Sequence, residues 1–154
     1  MHQLAELGFV AKKENLVFVG ATGVGKTGLA SVILLKALEN GYRGLFVRAQ
    51  DLFDEMYASL ADRSSRKLID RLMSVDVLLI DEMGYLNLRP EQTNLFFKLM
   101  EERYSRRSTI ITSNQTECRK SHRRFDPQHA ADRCRRGAAG IGTLDACTVE
   151  RRVV

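Results

Sequence analysis

The sequence predicts an α/β fold, three layers built on a parallel sheet. Three observations predict it. Short apolar, partly β-branched runs alternate with longer runs of helical spacing. The stretch Gly20-Ala21-Thr22-Gly23-Val24-Gly25-Lys26-Thr27 puts a glycine-rich loop between one such run and the helix after it. Val77-Leu78-Leu79-Ile80 is a continuous apolar run ending in Asp81 and Glu82, the pattern of a central strand buried on both faces.

The elements follow in order. Residues 1–15 read as a lead-in, with Leu4, Leu7 and Phe9 covering the sheet edge. Leu16 to Val19 reads as the first strand. Residues 26–39 read as a mostly buried helix, stopped by Asn40-Gly41. Gly44 to Arg48 reads as the second strand. Asp51 is expected to cap a helix with Leu52, Phe53, Met56, Tyr57 and Leu60 at helical spacing. Ala61 to Arg66 reads as a polar bend, and Lys67 to Met73 as a short helix before the strand ending at Asp81. Met83 to Arg89 reads as a loop. Pro90 opens a helix to about Tyr104, with Leu95, Phe96, Leu99 and Met100 as its buried stripe. Arg103, Arg106 and Arg107 close it as cations at a helix C-terminus. Ser108 to Asn114 reads as a further strand.

The loop carries the chemistry. It fits G-x-x-x-x-G-K-[ST], the P-loop pattern. Its glycines let successive N–H groups point into one anion-sized nest, and Gly28 extends the segment into the helix whose positive dipole end lies here. Gly20, Ala21, Thr22, Gly23, Val24, Gly25, Lys26, Thr27 and Gly28 are therefore the expected nucleotide-binding residues. Lys26 would reach the β- and γ-phosphates, and the Thr27 hydroxyl would ligate Mg²⁺. The alternative is a glycine turn in an ordinary βα unit.

Ligands of open α/β sheets bind at the carboxyl ends of strands, which brings Asp81 and Glu82 to this loop. Asp81 fits a Walker B acid that holds Mg²⁺ with Thr27, and Glu82 a general base for the attacking water. The bland reading is an acid pair capping a helix. Asn114 ends its strand where its amide can meet a γ-phosphate or the attacking water, against the reading of a turn asparagine. ATP and Mg²⁺ are the expected cofactors, with Glu82, Lys26 and Asn114 as the expected catalytic set.

Bulk properties fit one domain of 154 residues. No apolar run approaches a membrane span, and no signal peptide opens the chain, so a cytoplasmic protein without membrane contact is expected. The net charge of +5 comes mostly from the last forty residues, because the rest is nearly neutral. Such a balance suits a nucleic-acid partner but does not prove one. Cys118, Cys134 and Cys147 form no disulfide framework. Cys118, His122, His129 and Cys134 are zinc-ligand types whose gaps miss the usual pairs.

The ordered set GATGVGKT, VLLIDEMGYL and RRSTIITSN resembles the IstB-like ATP-binding proteins, helper ATPases of insertion sequences and relatives of the helicase loader DnaC in the AAA+ class. The similarity is read over about residues 8–115. Asn15 to Phe18, Asp81 to Tyr85 and Tyr104 to Asn114 carry it most. The resemblance implies an AAA+-type P-loop NTPase of the ASCE group, ATP hydrolysis, an ATP-dependent homo-oligomer on double-stranded DNA, and cooperation with a transposase. It implies Walker A at Gly20 to Thr27, Walker B at Asp81 and Glu82, and sensor 1 at Asn114. Arg48, Arg63, Arg66, Lys67, Arg106 and Arg107 are candidates for phosphate contact on DNA, each weighed against a plain surface charge.

The chain departs from that family at both ends, so the sheet is expected to be incomplete there. Only 19 residues precede Gly20, where the family carries a longer segment. After Gln115 the likeness fades, and arginine, cysteine, alanine and glycine dominate. Residues 1–115 are read as the ATP-binding core. Residues 116–154 are read as a frameshifted or disordered basic tail, without the family's arginine finger and fifth strand; Asp132-Arg133 only faintly echoes the finger region. Three functions compete: a DNA-stimulated ATPase serving a transposase, an ATP-binding remnant without turnover, and a DnaC-like loader. A small-molecule kinase is disfavoured, because no acceptor pocket or lid is legible.

Overall fold

The computed structural model describes residues 7–84, 86, 88–114 and, by their backbone, 147–152. The elements run α1 (Gly8–Ala11), β1 (Asn15–Gly20), α2 (Lys26–Glu39), β2 (Gly44–Arg48), α3 (Ala49–Ala61), α4 (Ser65–Met73), β3 (Val77–Asp81), α5 (Pro90–Arg103), β4 (Ser108–Asn114) and β5 (Cys147–Arg152). Spatial strand order is β2-β3-β4-β1-β5. The first four strands are parallel. Strand β5 pairs antiparallel with β1.

Helices on both faces make three layers. One face packs α1 and α2 on the sheet through Phe9, Leu16, Phe18, Ala30, Ile33, Leu34, Leu79 and Ile110. The other packs α3, α4 and α5 through Leu52, Phe53, Met56, Ile69, Leu72, Leu78, Ile80 and Leu99. All five residues of β3 are buried, with Leu78 and Leu79 serving opposite cores. Each such leucine contributes roughly 1.5–3 kcal/mol of burial, which explains why the run carries no polar residue before Asp81.

Several expectations change on contact with the structure. The lead-in does not cover the sheet edge. Leu7, Phe9 and Val10 bury in the face shared with α2, and Ser108 Oγ donates to Phe9 O at 3.2 Å. Leu4 lies outside the described residues. Helix α3 starts two residues before Asp51, so Asp51 sits in its first turn and Arg48 is the cap residue. An acid there still complements the helix dipole. Helix α4 starts at Ser65 rather than Lys67. Helix α2 buries only one side, and Val32, Leu35 and Leu38 are exposed. Tyr57 and Leu60 of α3 are exposed too.

The buried stripe of α5 is Leu95 and Leu99, with Phe96 and Met100 half-buried. Gln92 adds a polar tie: its amide accepts from Arg89 N–H at 2.9 Å and donates to Phe53 O at 2.8 Å. Arg103 stands in the last turn of α5 as expected, and it is also a buried tie. Its guanidinium donates to Leu72 O, Val75 O, Ser108 O and Thr109 Oγ1. Burial pulls it down to about 10, with repulsion from Arg107 helping and Asp76 opposing. It stays charged at neutral pH, where carbonyl oxygens solvate it in place of water. Finally, Cys147–Arg152 lines up antiparallel along β1, a strand not anticipated from sequence, while the parallel part of the sheet stays at four strands.

Candidate nucleotide site

The site forms at the carboxyl ends of β1, β3 and β4. Strand β1 ends at Gly20, and the loop turns into α2 through Gly23 and Gly25, at φ +85° and +83°. Nothing lies within 4 Å of a Cβ built on either. Glycine is needed there for backbone conformation rather than for space. Gly25 caps α2 in the left-handed conformation, and the first α-helical bond across the cap runs from Leu29 N–H to Gly25 O at 3.0 Å. The N–H groups of Lys26, Thr27 and Gly28 precede that bond, so they lack helical acceptors and mark a positive end.

A cavity of about 280 Å³ opens here, lined by Thr22, Gly23, Gly25, Lys26, Thr27, Glu82, Thr112, Ser113 and Asn114. Lys26 is buried at 8% exposure. Its ammonium donates to Gly20 O at 2.9 Å, Ala21 O at 2.7 Å and Asn114 Oδ1 at 3.0 Å. Strand register explains the last contact, because Gly20 pairs with Asn114 across β1 and β4. Thr27 Oγ1 donates to Asp81 Oδ1 at 2.9 Å, so the start of α2 and the end of β3 meet. Thr112 Oγ1 donates to the same carboxylate oxygen.

Glu82 follows on the rim, exposed, at φ +60°. A non-glycine residue there is held only by its surroundings. Its N–H donates to Thr112 Oγ1 at 3.0 Å, and Met83 N–H donates to Thr112 O at 2.8 Å. Ser113 Oγ donates to Met83 O at 2.9 Å. Strand β4 thus grips the turn after β3 at three points.

The structure brings together most of the residues expected from sequence. Thr22, Gly23, Gly25, Lys26, Thr27, Glu82 and Asn114 line the cavity. Gly20 and Ala21 hold the ammonium, and Asp81 stands behind Thr27. Val24 and Gly28 do not line it. Thr112 and Ser113 were not singled out from sequence. The one available signal was strand alternation, which puts Thr112 on the same side of β4 as Asn114.

The donor set suits a magnesium–nucleotide complex. One ammonium, a hydroxyl, one buried carboxylate and free N–H groups match hydrated Mg²⁺ shared with phosphates. Among the described residues, no group of three His, Cys, Asp or Glu is placed to cage a metal. Cys118, His122, His129, Cys134 and the Asp132-Arg133 pair lie outside the described residues.

The basic candidates divide. Arg66 pairs with Asp70 at 2.9 Å and Glu102 at 3.2 Å, and Arg107 with Asp76 at 3.3 Å. Asp76 is held below the ordinary 3.8, first by the Arg43 N–H and then by the Arg107 and Arg43 charges, against burial. Those cations are balanced within the fold. Arg48, Arg63, Lys67 and Arg106 are exposed.

Comparison with known proteins agrees with this geometry. The profile of the IstB-like ATP-binding protein family matches residues 1–131, extending past Gln115, where the likeness read from sequence stops. The insertion sequence IS21 protein of Pseudomonas aeruginosa, named for ATP binding, is 36% identical over 115 residues, 75% of this chain and 43% of that protein. Its counterpart from IS5376 of Geobacillus stearothermophilus is 35% identical over 116 residues, 75% of this chain and 46% of that protein. This chain therefore spans less than half the length of either. Among solved structures, the DnaC helicase loader superposes with a TM-score of 0.64 at 31% identity, covering 79% of this chain and 73% of that one. The replication initiator DnaA, solved with AMPPCP and single-stranded DNA, reaches 0.64 at 22% identity over 73% of this chain and 37% of that one, a likeness of fold.

Proposed function

This chain belongs to the IstB-like ATP-binding protein family, and on that premise we propose that it binds ATP with Mg²⁺ and hydrolyses it as a helper of DNA transposition. One observation carries the reading. Lys26 and Thr27, at the start of α2, line a single cavity, and the Asp81 carboxylate stands directly behind the Thr27 hydroxyl. That set is complementary to a triphosphate and its cation, and to little else.

Each residue has a role in that reading. The backbone from Gly20 to Gly28 wraps the phosphates. Lys26 places its charge at the β- and γ-phosphates. Thr27 and Asp81 hold Mg²⁺, which when bound spreads the charge of the phosphate oxygens. Glu82 accepts the proton of the attacking water from the cavity rim, and Asn114 orients that water or the γ-phosphate. The names of the relatives tie them to insertion sequences. That supports double-stranded DNA, a transposase and an ATP-dependent homo-oligomer as partners, in the cytoplasm. Turnover in this class draws on an arginine from a neighbouring subunit, so a chain that binds ATP without turnover is the rival outcome. The DnaC likeness favours a second reading, delivery of a helicase. Binding to a helicase rather than a transposase would support it.

The test is ATP hydrolysis by the full chain with and without double-stranded DNA, beside Glu82→Gln. The expected result is turnover that rises with DNA and falls at least about 100-fold in the variant, with nucleotide binding retained. Binding without any DNA-responsive turnover would contradict the helper ATPase.

A further inference from the structure

Thr112 lies outside the residues assigned to the P-loop, Walker B and sensor 1, yet it is the hydroxyl on which the site's two acidic positions converge. It is buried at 1% exposure and lines the cavity. A threonine hydroxyl has one proton and two lone pairs. Glu82 N–H can only donate, so one lone pair accepts from it, at 3.0 Å. The proton is therefore directed to Asp81 Oδ1. That oxygen also accepts from Thr27 Oγ1 at 2.9 Å. Two hydroxyls from opposite sides, one on α2 and one on β4, fix the plane of a buried carboxylate. The same hydroxyl anchors the N–H of a residue held at φ +60°.

We propose that Thr112 is a positioning residue that couples magnesium to nucleotide, by orienting Asp81 for the metal and holding the Glu82 turn beside it. This rests on the MgATP reading of the cavity. Removing the hydroxyl has two local consequences. Among the described residues Asp81 then keeps only Thr27 as a hydroxyl partner, so its carboxylate plane is no longer set from the β4 side. The Glu82 N–H loses its acceptor, and the left-handed turn loses a tie. Among the described residues no hydrogen bond joins Thr112 to Lys26, whose ammonium is held by Gly20, Ala21 and Asn114. The effect should fall on the metal and spare the phosphates. Groups that orient a metal's ligands typically set affinity by roughly 10–100-fold.

The experiment measures affinity for a fluorescent ATP analogue with Mg²⁺ and with EDTA, in the full chain and in Thr112→Val, Thr112→Ala and Thr112→Ser. Wild type should bind more tightly with Mg²⁺. Thr112→Val should lose most of that gain, about 10-fold or more, while its affinity in EDTA stays within about 2-fold of wild type. Thr112→Ser restores the hydroxyl and should recover the gain. Thr112→Ala is read in the same way if the valine variant does not fold. A purely structural role would weaken both conditions alike and lower the melting temperature, and that result would overturn the inference. So would an undiminished Mg²⁺ gain in the valine or alanine variant, with the MgATP reading left standing. Failure of wild type to bind any adenine nucleotide would overturn that reading and this inference together.

Discussion

Gly25 shows what a single backbone angle contributes. It sits at φ +83° with open space where a Cβ would stand. Gly25→Ala therefore clashes with nothing and tests conformation alone. An L-residue there costs about 1–2 kcal/mol. The variant should melt several degrees lower and should also lose nucleotide affinity, since the nest opens when the cap relaxes. Unchanged melting and affinity would show that the loop tolerates another path. This residue was legible from sequence, because the P-loop is a contiguous pattern of local angles. Thr112 was not. Its partners Thr27-bound Asp81 and Glu82 lie about thirty positions earlier, and only strand register brings them together. The Ile80–Ile111 pair sets that register one step before.

Arg103 makes the same point between elements. At the end of a helix, an arginine reads as a cation satisfying the dipole. In the fold it is buried and joins α5 to Leu72 O in the last turn of α4, to Val75 O just beyond it, and to the start of β4 at Ser108 and Thr109. Arg103→Met keeps the apolar stem but leaves those carbonyls without their donor. A loss of roughly 1–3 kcal/mol follows from leaving buried carbonyl acceptors unsatisfied. Thermal or urea unfolding should show it, and a variant as stable as wild type would contradict the role. Helix starts were also misjudged, by three residues at α3 and two at α4, where acceptable cap residues lie near one another. The strand at Cys147–Arg152 was missed because its sequence offers few large apolar residues. An edge strand needs backbone partners more than buried side chains, and β1 supplies them.

For the whole molecule, the parallel sense of β1 to β4 was legible because each strand is short, apolar and separated by helical spacing, whereas the spatial order β2-β3-β4-β1 comes from the structure. That order explains the site: β1, β3 and β4 are neighbours, so their carboxyl ends meet around one cavity. The partly uncovered apolar side of α2 was not legible, since periodicity cannot tell a helix buried all round from one waiting for a neighbour. Function at this scale reduces to whether the cavity takes a nucleotide. The direct measurement is calorimetric titration of the folded chain with ATP and Mg²⁺, beside Lys26→Ala. The account predicts saturable binding near one nucleotide per chain, weakened by about 10-fold or more when the ammonium is removed. A folded wild type that releases no binding heat and displaces no labelled nucleotide, or a Lys26→Ala variant that binds equally well, would contradict it.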